Sequence, residues 1–275
     1  MKKTKFIIIF LILFCITLLI PPKVISQKGT YDFHGAPGNQ KILRVTTVNN
    51  ASLTALWGVN WTEVIEIFGA GAYILGARKK SYVTAVNYDA TYKGYDVTNY
   101  TTNNWKWTTG SFPVTPDDVS NFVVTSFYNP TELSAYINAY YSGSANVTVQ
   151  NSGFFLAQLP TPVNSYLAAI TWNPRWEAIG NTAVHHAQIG DTVYSAYTEK
   201  NYTYNEDCTE IWTYDTLYGA WIGYKIEDDQ HNKIYEFFFD ISGGAEIPGY
   251  ELPIIIGVAS ISIIGIIFVV IKKKK

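Results

Sequence analysis

The chain has 275 residues, a formal net charge of −2, 16% aromatic residues and two cysteines. All 22 acidic residues but only 12 of the 20 basic ones fall between Gln27 and Leu252, so this stretch carries about −10. An acidic surface repels phosphate backbones and excludes nucleic acid as a partner, and a length near 225 residues is enough to bury a core without disulfides.

The first residues read as a secretory signal. Lys2, Lys3 and Lys5 precede an apolar run from Phe6 to Ile20, too short for a bilayer span and ended by Pro21 and Pro22. Val24-Ile25-Ser26 places cleavage after Ser26, with an uncleaved anchor as the rival reading. Bulky Phe14 before Cys15 argues against a lipoprotein cysteine.

The exported part alternates strand and short-helix signals. Lys41 to Val48 alternates Ile42, Arg44 and Thr46 against Leu43, Val45 and Thr47, which predicts a first strand. Asn60 and Glu63 have capping chemistry for a helix of about two and a half turns that buries Trp61, Val64, Ile65 and Phe68 and stops at Gly69 or Gly71. Ser81 to Tyr88 and Gly94 to Trp107 read as strands. Thr115-Pro116-Asp117-Asp118 and Asn129-Pro130-Thr131-Glu132 each set a cap residue before proline, so a short helix is expected after each, the second burying Leu133, Tyr136, Ile137 and Tyr140. Thr192 to Tyr204, Glu210 to Asp215, Ala220 to Glu227 and Lys233 to Ile241 predict an antiparallel meander, with turns at Asp215–Gly219 and Asp228–Asn232. The expected fold is α+β: a curved antiparallel sheet with short helices packed on one face, plus one C-terminal transmembrane helix.

After a short stalk at residues 243–252, Pro253 to Ile271 holds no charged residue and is followed by four lysines, Lys272 to Lys275. At 1.5 Å per residue this run spans roughly 28 Å, close to the hydrocarbon thickness. The lysines predict a cytoplasmic end, which puts residues 27–242 outside the cell. Just before the span stand Pro248, Gly249 and Tyr250. The order of Pro-Gly-aromatic, apolar span and basic end resembles the C-terminal sorting tails of archaeal cell-surface proteins, especially the Asgard variants. In the better-known form of that tail, which has phenylalanine where this chain has Tyr250, the resemblance implies processing by an archaeosortase and attachment to lipid. It covers about the last 28 residues and says nothing of the domain before them.

Five N-x-Ser/Thr sequons, at Asn50, Asn60, Asn99, Asn146 and Asn201, lie in the exported part and suit an N-glycosylated protein. Cys208 would be the only cysteine left after signal removal, and its acidic neighbours Asp207 and Glu210 disfavour a thiolate. Adjacent His185 and His186 would point to opposite faces of a strand, so no shared metal is expected there. No nucleophile elbow, zinc-protease, P-loop or dinucleotide motif occurs, and neither an enzyme nor a cofactor is expected. The tryptophans and 21 tyrosines fit core and cross-strand pairs, or else a surface that stacks on a glycan or lipid, for which Trp105, Trp107, Tyr202 and Tyr204 are the candidates. The sequence therefore predicts a membrane-anchored, N-glycosylated surface protein with an interaction or coat-structural role, its partners the bilayer and other surface proteins, with glycan or lipid binding as the alternative and an extracellular hydrolase as a weaker third.

Overall fold

The structure, a computed structural model, describes residues 26–28, 30–141, 157–171, 175–195 and 199–240. Residues 1–25 of the expected signal segment, Asn146, the stalk, the sorting tail, the expected transmembrane run and the side chains of Ile137 and Tyr140 lie outside this description. Among the described residues no helix is long and apolar enough to cross a membrane.

The fold is sheet-dominated α+β. Its strands are β1 (Ser26–Lys28), β2 (Tyr31–Phe33), β3 (Gln40–Val48), β4 (Arg78–Tyr92), β5 (Tyr95–Asn104), β6 (Asp118–Phe127), β7 (Trp176–Ile179), β8 (Thr182–Ala187), β9 (Thr192–Ser195), β10 (Lys200–Thr203), β11 (Cys208–Tyr214), β12 (Trp221–Glu227) and β13 (Lys233–Phe239). The helices are α1 (Asn50–Trp57), α2 (Trp61–Ile65), continued by a 3₁₀ turn over Glu66–Phe68, α3 (Pro130–Tyr141) and α4 (Val163–Ala169).

Nine strands form one antiparallel sheet in the order β6-β5-β4-β3-β13-β12-β11-β8-β7. Two meanders are thus fused where β3, from the start of the domain, pairs with β13, from its end; Val45 lies opposite Phe237 and Leu43 opposite Phe239. Strand β11 shows the underlying period of two most clearly, with Cys208, Glu210, Trp212 and Tyr214 buried and the residues between them half-exposed. Its inward row continues through Tyr224 to Phe237 and Val45. Buried Leu53 and Leu56 of α1, Val64 and Ile65 of α2, Leu133 and Tyr136 of α3, and Tyr166 and Leu167 of α4 join the same core. Helix α3 packs on β6 and on α4, and α4 packs on β7 and β8, so two neighbouring helices reach both ends of the sheet. A flat nine-stranded sheet would be about 38 Å wide at 4.8 Å per strand, more than two helices about 10 Å apart can bridge; the sheet bends to meet them.

Several expectations change at the level of elements. The helix from Trp61 forms as α2 plus the 3₁₀ turn and stops at Gly69, but Asn60 makes no side-chain cap bond. That chemistry belongs to Asn49, whose side-chain Oδ1 accepts from the Ser52 N–H at 3.2 Å and starts α1, a helix the sequence reading missed. Glu63 reaches Lys200 and Tyr202 instead. The helix expected after Thr115 is strand β6, because Phe122, Val123, Val124, Thr125 and Phe127 favour a pleated surface, and Asp117 accepts from the Lys106 N–H rather than capping a helix. The second proline-led helix is present as α3, with Asn129 accepting from the Thr131 N–H. Thr192 to Tyr204 is a separate hairpin, β9-β10, outside the main sheet.

The turn before β12 tolerates no side chain at Gly219. Its φ is +72°, and an added Cβ would sit 1.8 Å from the Leu159 carbonyl oxygen, whose own N–H donates to Gly219. Gly180 has a comparable φ of +59° with open space around it. Gly180→Ala is expected to cost about 1–2 kcal/mol of backbone strain alone, and Gly219→Ala clearly more, because it also forces two segments apart. Equal shifts in the urea midpoints of the two variants would contradict this assignment.

Candidate functional site

The sheet's inner face carries two polar clusters of opposite character. The first is sealed. Glu210 is 1% exposed, and its carboxylate accepts from the Tyr224 hydroxyl at 2.6 Å and the Tyr204 hydroxyl at 3.0 Å while facing His185 Nδ1 at 2.8 Å. Trp176 stacks on the His185 ring at 4.4 Å. Burial, reinforced by the Glu210 charge, pushes the Tyr204 and Tyr224 hydroxyls and the Cys208 thiol well above their ordinary pKa values. Glu210, His185, Tyr204 and Tyr224 bond to one another and are not among the residues that line the cavity described next, which fits a structural network rather than a reacting one. His186 takes the opposite face of β8 and meets Glu177 at 2.9 Å. Among the described residues no group of three or more His, Cys, Asp or Glu is placed to hold a metal ion.

The second cluster opens onto a cavity of about 270 Å³ between the sheet and the segments packed over it. Its polar end is built by β3 and β4. Lys41 lies opposite Ser81 and Leu43 opposite Lys79, so the two lysines stand diagonally on one face with Leu43 between them. Lys41 Nζ donates to the Trp221 carbonyl at 2.9 Å, and Lys79 Nζ to the Phe68 carbonyl at 2.8 Å. Ser81 donates to Asn104 Oδ1, and Asn104 in turn to Thr102, which continues the polar floor onto β5.

The wall is aromatic. The 3₁₀ turn after α2 drops Phe68 onto the sheet, with its ring 4.6 Å from Tyr224 and 5.0 Å from Phe237. Trp107 stands 5.4 Å from Phe237, and its indole N–H donates to the same Phe68 carbonyl that receives Lys79. Trp221 closes the other side, 5.3 Å from Phe237, with the Lys41 amine 5.6 Å over its ring.

Burial lowers both lysine pKa values from 10.5 to about 8, and the neighbouring Lys79 charge lowers Lys41 further, whereas Asp118 partly offsets the effect at Lys79. Among the described residues neither amine forms an ion pair.

The stacking candidates are placed differently from an exposed platform. Trp105 and Trp107 lie beyond the end of β5 and are 8% and 7% exposed; Trp105 donates to the Pro113 carbonyl, and only Trp107 reaches the cavity. Tyr202 donates to Glu63, and Tyr204 is fully buried on Glu210. Asn50, Asn60 and Asn201 are exposed, whereas Asn99 is half-buried within the sheet and accepts from the Thr125 hydroxyl. Sequence reasoning missed Lys41, Lys79, Phe68, Trp221 and Phe237 as a group. One signal was available: Lys41 shares the alternation of Leu43 and Val45, so a charge sits on an inward face. Comparison with known proteins finds no family model, no curated protein and no solved structure that matches this chain.

Two measurements follow from these clusters. Glu210→Ala removes the acceptor of a buried network and is expected to cost about 3–5 kcal/mol by denaturant titration; a loss under about 1 kcal/mol would show that the network is dispensable. For the lysines, a folded pKa below the unfolded one means that between about pH 8 and 10.5 the unfolded chain binds more protons, so stability rises with pH across that window. Relative to a Lys41→Met/Lys79→Met variant, the wild-type protein should gain stability through this range. A pH-independent difference would show that the amines are not strained by burial.

Proposed function

We propose that this chain is a membrane-anchored extracellular binding protein that takes up a small, largely apolar ligand in the cavity beside Lys41 and Lys79. The observation that carries this reading is the cavity itself, walled by Phe68, Trp107, Trp221 and Phe237 and left open where a structural core would be filled. Binding is favoured over catalysis because, among the described residues, the buried His185–Glu210 pair is enclosed, with the carboxylate also held by the Tyr204 and Tyr224 hydroxyls. It is favoured over a purely structural coat role because coat packing gives no reason to keep two amines against an aromatic hollow.

The placement outside the cell rests on the sequence: a signal over residues 1–26, a transmembrane helix over residues 253–271 and cytoplasmic lysines after it. The bilayer is then a partner through that helix, or through a lipid if the Pro248-Gly249-Tyr250 tail is processed. Exposed Asn50, Asn60 and Asn201 are the positions best suited to carry glycans. The acidic ectodomain argues against nucleic acid as a partner.

The test uses the full-length chain in lipid nanodiscs and the neutral dye N-phenyl-1-naphthylamine. Saturable binding, weakened at least about tenfold by Val83→Trp, which places an indole in the cavity, is the expected result. Dye uptake that matches empty nanodiscs would remove the binding reading. On intact cells, Asn60→Cys should react with a membrane-impermeant maleimide and Lys275→Cys should not; the reverse pattern would overturn the topology.

A further inference from the structure

The lysine pair poses a problem that the aromatic wall does not solve. Two cations on diagonal positions of one sheet face repel each other, and an apolar cavity shields them poorly. Each amine has three N–H donors and gives one to a backbone carbonyl, Trp221 for Lys41 and Phe68 for Lys79. Those carbonyls fix where the amines point but carry no charge. The nearby carboxylates supply it only in part: Asp118, exposed at the start of β6, acts on Lys79 alone, and Asp215, at the cavity's edge, already accepts from the Leu217 and Tyr218 N–H groups. Glu63, Glu210 and Asp117 are committed elsewhere, to Lys200 and Tyr202, to the sealed network and to the Lys106 N–H.

Building on the binding reading above, we propose that the ligand is a small organic carboxylate whose anionic group is held jointly by Lys41 and Lys79, with an apolar, ring-sized body lying against Phe68, Trp107 and Phe237. A carboxylate has two oxygens, each able to accept from one amine, so a single group answers both cations. The dimensions agree. A cavity of about 270 Å³ lies just below the usual range of small-molecule sites, with room for one or two fused rings. Offset contact with three aromatic rings favours a flat body over a flexible one. The shared Phe68 carbonyl couples the two halves of the site, since it positions both the Lys79 amine and the Trp107 indole.

The deciding experiment compares 2-naphthoate with 2-naphthalenemethanol, its neutral counterpart, by isothermal titration calorimetry on the full-length chain in nanodiscs, with empty nanodiscs subtracted. The wild-type protein should bind 2-naphthoate at least about tenfold more tightly than the alcohol. In Lys41→Met/Lys79→Met this preference should vanish while the alcohol still binds. Equal affinities in the wild-type protein, or a preference for the alcohol, would overturn the carboxylate assignment and leave the cavity reading standing. Binding of neither probe would remove both. A preference that survives the double substitution would also overturn the assignment, because the discrimination would then lie outside these amines. Should the double variant not fold, the single variants Lys41→Met and Lys79→Met should each weaken the preference, and a preference unchanged in both would overturn the assignment.

Discussion

Everything in this domain depends on the pairing of β3 with β13. Each meander alone ends in a strand with an open edge; joined, they make a nine-stranded sheet whose two outer ends are then bridged by α3 and α4. The pairing also assembles the cavity. Lys41 and Leu43 come from the first meander, Trp221 and Phe237 from the second, and they adjoin only because Leu43 lies opposite Phe239 and Val45 opposite Phe237. A slip of one residue in this register would turn Lys41 outward and Ile42 inward, converting the site into ordinary core.

The same sheet face handles buried polarity in two ways. Around Glu210 the donors and acceptors are matched, so the network adds order to the core at little risk. Around Lys41 and Lys79 the hydrogen bonds are partly met but the charge is not, and the pKa values fall as a result. Native structures retain uncompensated polarity chiefly where it serves a site. The contrast between two clusters on one sheet, rather than either cluster alone, separates the functional reading from the structural one.

Much of the secondary structure was legible in the sequence. Strand β3 and the three final strands of the meander follow from alternation and turn chemistry, and α3 from its Asn-Pro start. The errors came from local signals that tertiary context overrides. Asp117 and Pro116 resemble a helix start, but the β-branched and aromatic run after them fits the edge of the sheet. Asn60 has the residue type for a cap, yet the bond is made at Asn49. The cavity was not legible because its parts are far apart in the chain and individually ordinary: lysine in a basic triplet, phenylalanine at a helix end, tryptophan at a strand start. Only the register of β3 with β4 and β13 gives them a common position. The aromatic pairs chosen from sequence were grouped by neighbourhood along the chain; all four side chains are buried, and of the four only Trp107 also reaches the cavity.

The β3 to β13 contact also has a cost in time. Thr46 and Glu236 bond across 190 residues of intervening chain, a separation that makes closure entropically expensive and folding slow. A chain emerging at about 5–20 residues per second needs roughly 10–40 s to deliver the partner strand. Through that interval the inner edge of β3 stands unpaired, with Leu43 and Val45 uncovered, so the segment that lines the cavity in the folded domain is also the nascent chain's main point of vulnerability to aggregation. A chaperone that holds the nascent chain has its clearest target there.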